Sequence, residues 1–361
     1  DKVAYAGTDL IGKIGIEKYY ENLLHGTPGY QYVEANAHGE VLRQLGKTEA
    51  KRGNDLYLSI DYGLQKIAHE QLAGRRGAIV AIDPRTGEIL AFVSNPSFDP
   101  NPFINGIKSK AYAALRDDPD QPLYNRALQG LYPPGSTIKP FEGMGGLNYS
   151  LIDWNSKVYD PGYFHLPGDS HKFRDWAKRG HGTVDLDKAI AQSCDTFFYV
   201  LGYRMGIERM HQWMTQFGFG SKTGVDLPGE KAGVYPSPDW KLKRTKKNWL
   251  PGETISVSIG QGYFVATPLQ IALATAITAN QGQHLVPHLL RETRGPVSFP
   301  VQNRPDKALL FEGKPDDWLR MREAMVGTIQ HGTAAGLKRG LYGDRVAGQT
   351  GTAQRKRIAQ G

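Results

Sequence analysis

Three observations predict an α+β fold. Strand-like runs crowd the start of the main body, helical patterning with long Gly/Pro loops fills roughly residues 120–290, and one more strand-like run lies near the C-terminal end. Residues 1–52 form a separate N-terminal element. In it Ile16 to Leu24 is helix-like, Gly26-Thr27-Pro28-Gly29 breaks the chain, and Tyr30 to Leu45 alternates as strands do about His38-Gly39. The main body covers 53–361. Leu56 to Ile60 predicts a strand, and Asp61 then caps a helix running to about Leu72. Ala78 to Ile82 and Ile89 to Val93 flank Asp83-Pro84-Arg85-Thr86-Gly87, which predicts a hairpin. Ala347 to Ala353 reads as the late strand.

Composition narrows the classes. The chain has 361 residues, 40% hydrophobic and 22% charged, enough to bury a core. No run approaches the roughly 18 consecutive apolar residues of a membrane span, and Asp1-Lys2-Val3-Ala4 is not a signal segment. Lysine and arginine exceed aspartate and glutamate by 44 − 36 = 8, a balance that suits anionic partners in general. Lys241 to Trp249 is the one basic run interleaved with aromatics. It stands without any nucleic-acid motif and reads as a solvated loop, so no nucleic-acid partner is expected. Cys194 is the only cysteine, which excludes an internal disulfide.

The sharpest local signal is Tyr132-Pro133-Pro134-Gly135-Ser136-Thr137-Ile138-Lys139-Pro140. Pro-Pro-Gly ends one segment, which places Ser136 at an N-cap or first-turn position. A helix beginning there sets Lys139 on the same face three residues on, at the positive end of the macrodipole. A serine hydroxyl needs an adjacent base, and a desolvated lysine can supply one. Ser-x-x-Lys alone is common and equally describes a capping serine beside a surface lysine. Two further elements raise its weight: Ser193-Cys194-Asp195, 57 residues after Ser136, and Gln349-Thr350-Gly351-Thr352. Ser-x-x-Lys, Ser-x-Asn/Asp and Lys-Thr-Gly in that order are the motifs of penicillin-binding proteins and serine β-lactamases.

With these motifs the chain resembles the class B penicillin-binding proteins of the cell-elongation type from about Gly12 onward. Asp83 to Gly87, Asp195-Thr196-Phe197-Phe198-Tyr199, Gly260-Gln261-Gly262-Tyr263 and Thr267-Pro268-Leu269-Gln270 carry the likeness. The resemblance implies the transpeptidase fold, an antiparallel sheet flanked by helices plus a mostly helical domain, here apparently without its C-terminal end. Residues 1–52 become the remnant of a dimerisation and partner-contacting pedestal. The implied reaction is D,D-transpeptidation of peptidoglycan. Ser136 is acylated by a D-alanyl-D-alanine stem, Lys139 is its base, Ser193 relays protons, and Asp195 completes the second motif. The N–H groups of Ser136 and Thr352 form the oxyanion hole, and Thr350 and Thr352 hold the substrate carboxylate. Implied partners are stem peptides, β-lactam antibiotics, and the membrane glycan polymerase and scaffold proteins of the elongation complex. The implied location is the periplasmic face of a bacterial inner membrane, with an N-terminal anchor absent from this chain. A water-resolving carboxypeptidase or β-lactamase, and a non-catalytic β-lactam-binding sensor or scaffold, remain as alternatives.

One departure is plain: Gln349 stands where the third motif has lysine. Lys222-Thr223-Gly224 supplies the missing lysine but sits in a polar Gly-rich loop upstream of Gly260, so the later site is preferred. Asp160, Asp175, His181 and Cys194 form a candidate set for a structural zinc, with His165, Asp169 and His171 as competitors. Four protein ligands leave no open position, and no cofactor is expected for catalysis.

Overall fold

The structure is a computed structural model that describes residues 10–299, 308–340 and 346–353. Residues 1–9 of the N-terminal element, and 300–307, 341–345 and 354–361 of the main body, lie outside that range. The helix expected over Ile16–Leu24 divides into α1 (Gly15–Tyr19) and α2 (Glu21–Leu24). Tyr20 at the break is buried, and its hydroxyl donates to Asp226 Oδ2 at 2.7 Å, which ties this element to the main body. β1 (Tyr30–Ala35) and β2 (Val41–Thr48) pair as an antiparallel hairpin, closed where Asn36 Oδ1 accepts from the N–H groups of His38 and Glu40. Every residue of β1 is exposed, so the hairpin contributes no core.

In the main body β3 (Asp55–Leu58) ends two residues earlier than expected. Asp61 accepts from Leu64 N at 2.9 Å and caps α3 (Tyr62–Gln71). β4 (Gly77–Ile82) and β5 (Ile89–Asn95) form the expected hairpin, with Gly87 N donating to Asp83 O across the turn. α4 (Ser109–Arg116) and α5 (Arg126–Gln129) lead to a 3-10 turn over Gly135–Ile138, from which α6 (Lys139–Asn148) continues. Four short strands follow in pairs, β6 (Val158–Asp160) with β9 (Gly182–Val184) and β7 (Tyr163–Phe164) with β8 (Phe173–Arg174). After them come α7 (Leu186–Ala191), α8 (Asp195–Met214, broken at Gly206), α9 (Pro238–Thr245), α10 (Pro251–Val257) and α11 (Pro268–Ala279). β10 (Leu290–Arg294) returns to pair with β3, and α12 (Asp316–Gln330) packs on α7 and α6.

α6 is the central helix, buried at all ten positions. Its glycines make that possible: a Cβ at Gly145 would lie 2.5 Å from Trp213 Cδ1, and one at Gly146 would lie 2.8 Å from Leu201 Cδ1. Phe197, Phe198, Leu201 and Trp213 of α8 and Met321 of α12 complete the core about it. Lys139 therefore rides on a helix enclosed on every side. Among the described residues no helix is long and apolar enough to cross a membrane. The expected strand over 347–353 is not formed. No described strand runs beside it, and its groups turn elsewhere, Gly348 N to Met325 O and Thr350 N to Gln349 Oε1.

Candidate active site

Of the two positions expected for it, N-cap or first turn, Ser136 takes the turn: it lies within the 3-10 turn that runs into α6, which Lys139 opens. Gly135 makes the turn possible. Its φ is +57°, and a Cβ there would meet Thr352 O at 2.6 Å, a position only glycine fills without strain. Gly135 N also donates to Gly260 O at 2.9 Å, so the loop beginning at Gly260 backs the turn.

Lys139 is fully buried, and Nζ faces three acceptors: Ser193 O at 2.8 Å, Ser193 Oγ at 3.2 Å and Asp195 Oδ1 at 2.7 Å. An ammonium carries three N–H bonds, so this geometry matches the charged lysine. Ser193 holds φ +54°, uncommon for a non-glycine residue. Its conformation is secured from both sides. Its N–H donates to Ile190 O, and its carbonyl accepts from Lys139 Nζ and Trp176 Nε1. Asp195 begins α8 and reaches Trp176 N with Oδ2 at 3.2 Å. Burial raises Asp195 above its ordinary carboxylate range, and the Lys139 charge only partly offsets this.

The third motif closes the site from the other side. Gly351 abuts Thr137 and Pro134, and the Thr352 backbone abuts Gly135. Gln349 Nε2 donates to Ile190 O at 3.1 Å, so the residue in the lysine position is tied to the segment carrying Ser193. Thr350 Oγ1 lies 2.6 Å from Thr333 Oγ1. Ser136, Lys139, Ser193, Asp195 and Gln349 to Thr352 are thus brought to one place. Thr223 of the rejected Lys-Thr-Gly is buried elsewhere, with its N–H and hydroxyl both donating to Glu230 Oε1. Sequence reasoning missed Trp176, Ile190 and Thr333, because nothing local marks a residue that acts through its backbone or from a distant helix end.

Asp160, Asp175, His181 and Cys194 converge, with one ligand atom from each within 4.8 Å of the others. His181 Nδ1 is 2.7 Å from Asp160 Oδ2 and 3.5 Å from Asp175 Oδ1. Cys194 Sγ is 3.5 Å from Asp160 Oδ2 and 3.6 Å from Asp175 Oδ2. Tetrahedral zinc with bonds of about 2.0–2.3 Å keeps its ligands about 3.3–3.8 Å apart, so the donor set and three of these four separations fit, while His181 Nδ1 and Asp160 Oδ2 stand at hydrogen-bond distance and must part to share an ion. Burial opposes charge on Asp160, but the hydrogen bonds it accepts, from Gly162 and His181 among them, hold it below the usual carboxylate range. Burial and then the Asp175 carboxylate push the Cys194 thiol up, a bias that a bound cation would reverse. The competitors His165, Asp169 and His171 are not in the cluster.

A family profile described as "Penicillin binding protein transpeptidase domain" matches residues 77–360, and one described as "Penicillin-binding Protein dimerisation domain" matches 1–58. The chain is 66% identical to the peptidoglycan D,D-transpeptidase MrdA of Acinetobacter baumannii, over 100% of this chain and 53% of that protein. The crystal structure of Pseudomonas aeruginosa PBP2 in complex with WCK 5153 is similar at TM-score 0.86 and 44% identity, covering 98% of this chain and 76% of that one. The complex between PBP2 and MreC from Helicobacter pylori is similar at TM-score 0.83 and 37% identity, covering 95% and 63%. The chain spans about half the length of the curated relatives it matches.

Proposed function

Because the chain belongs to the penicillin-binding protein transpeptidase family, we propose that it is the crosslinking part of a peptidoglycan D,D-transpeptidase of cell elongation, with Ser136 as the acylated residue. The observation that carries this reading is the convergence of Lys139 on Ser193 and Asp195 directly behind the Ser136 turn. Lys139 first passes a proton out through Ser193, which leaves a neutral amine, and then takes the Ser136 hydroxyl proton as Oγ attacks the carbonyl between two D-alanines. The C–N bond breaks, and the leaving D-alanine amine takes the proton back. An amine of a second stem then attacks the ester carbonyl, Lys139 takes the amine proton and passes it to Ser136 Oγ as the C–O bond breaks, and the crosslink forms with the serine hydroxyl restored. The N–H groups of Ser136 and Thr352 receive the oxyanion, a contribution of about 3 kcal/mol for such donors. Thr350 and Thr352 hold the stem carboxylate, with Gln349 in place of the family's cation. β-Lactams acylate the same serine.

The reading extends to the N-terminal part. Residues 1–52 serve as the remnant of a partner-contacting pedestal before a transpeptidase unit over 53–361. The whole protein works at the periplasmic face of the bacterial inner membrane with a glycan polymerase and scaffold proteins; the likeness to a PBP2 solved with MreC supports this. Asp160, Asp175, His181 and Cys194 hold a structural zinc, which when bound supplies a crosslink between the β6–β9 insert and the start of α8. Intact-mass spectrometry after incubation with penicillin tests the catalytic reading. The chain gains one penicillin and Ser136→Ala gains none; an adduct on Ser136→Ala overturns it.

A further inference from the structure

The basic run Lys241 to Trp249, read from sequence as a solvated loop, has a more specific place in the fold. Its first lysine is not solvated. Lys241 is buried, with Nζ donating to both Glu253 oxygens at 2.6 and 2.7 Å and to Asn248 O at 2.6 Å. That bond set spends the Glu253 charge internally; Glu253 Oε2 also accepts from Leu250 N. The cations left over point outward: Lys243, Arg244, Lys246 and Lys247 are all exposed. Among the described residues none of these four makes an ion pair, and Asp239 is the one acidic residue of α9. Four exposed cations within five residues, with one acidic residue on α9, leave this segment strongly cationic.

The patch is also rigidly joined to the active centre. Tyr263 lies 5.4 Å from Trp240 and 6.5 Å from Trp249, ring centre to ring centre, and Trp249 Nε1 is anchored to Thr254 Oγ1 at 2.9 Å. Tyr263 follows Gly260, whose carbonyl accepts from Gly135 N beside Ser136. The aromatic cluster therefore fixes the basic surface to the loop that backs the nucleophile turn.

We infer that α9 and the loop to Trp249 form a docking surface for the carboxylate-bearing stem peptides of a glycan strand, and so hold anionic substrate strand beside Ser136. This rests on the transpeptidase reading. The chemistry favours it over a lipid surface or a nucleic acid because the substrate of that reaction is itself a polyanion and the patch is coupled to the loop next to its nucleophile. Surface cations acting together gain affinity from an anionic polymer, and that gain is screened by salt.

The experiment uses the full chain and fluorescently labelled, uncrosslinked glycan strands in an anisotropy titration, with the same strands stripped of their stems as control. Native chain should bind stem-bearing strands at least about tenfold more tightly at low than at 0.3 M salt. The charge-reversal variant Lys243→Glu/Arg244→Glu/Lys246→Glu/Lys247→Glu should bind about tenfold or more weakly, and stripped strands should bind native chain equally weakly. If that variant does not melt cooperatively, Lys243→Ala/Lys247→Ala, expected to weaken binding about threefold, replaces it. Unchanged affinity in the folded variant, equal binding of stripped strands, or tighter binding of phosphatidylglycerol vesicles or a single-stranded oligodeoxynucleotide overturns the inference. The penicillin adduct on native chain is read separately. An adduct without strand docking refutes the docking surface alone, whereas no adduct refutes the catalytic reading.

Discussion

Replacing Glu142 by glutamine removes a carboxyl group that the fold holds in the wrong charge state for neutral pH. Glu142 lies in the first turn of α6, three residues after Lys139, and is fully buried. Among the described residues neither of its oxygens has a hydrogen-bond partner, nor has the nearby buried hydroxyl of Tyr235. Burial pushes the carboxyl up from its ordinary value of 4.5 to about 8. Below about pH 4.5 it is protonated in both folded and unfolded chains and costs nothing. As pH rises from 4.5 towards 8 only the unfolded chain loses the proton, so folding must take one up and stability falls by about 1.4 kcal/mol per pH unit. Across that interval of about three and a half pH units the loss reaches about 5 kcal/mol, and it is complete above pH 8. Glutamine does not titrate, so Glu142→Gln should lose this slope. Urea unfolding at about pH 5.5 and 8.5 reads the effect as a change in the stability difference between the two proteins of about 3 kcal/mol in favour of the variant at the higher pH. If the two proteins keep the same difference at both pH values, Glu142 is either solvated or ionised in the fold, and the reasoning fails.

Other expectations follow from packing and charge. Gly145→Ala places a methyl 2.5 Å from Trp213 in the central core and should cost about 1–3 kcal/mol in urea unfolding, more than Gly336→Ala, whose Cβ meets only open space. Gln349→Lys should raise the second-order rate of penicillin acylation about tenfold or more, because a cation near the ligand carboxylate is worth a few kcal/mol at about 4 Å. An unchanged rate shows that the Gln349–Ile190 bond, not charge, is what that position supplies. Treatment with a zinc chelator should lower the melting temperature of the native chain by several degrees and leave that of Cys194→Ser unaffected; elemental analysis of purified protein should show about one zinc per chain.

The parts legible in the sequence are those written in a few adjacent residues. Asp61 capping α3 and the Asp83–Gly87 turn joining β4 to β5 depend on groups within four or five positions, so composition and order determined them. Motif order likewise named Ser136, Lys139 and Ser193, while residue chemistry only nominated the four metal-type side chains beside competitors of the same type, and the fold separated them. Tertiary structure alone decided what those groups do to one another. Asp195 pairs with a lysine 56 residues away, Gln349 Nε2 binds the carbonyl of Ile190, Lys241 is neutralised by Glu253, and Glu142 finds no hydrogen-bond partner among the described residues. The expected strand at Ala347–Ala353 failed for the same reason, since a strand exists only where another backbone lies alongside. Local signals report what a segment can form without help. Burial, charge pairing and ladder formation report which distant segment arrives beside it, and the chain settles that only when the core about α6 closes.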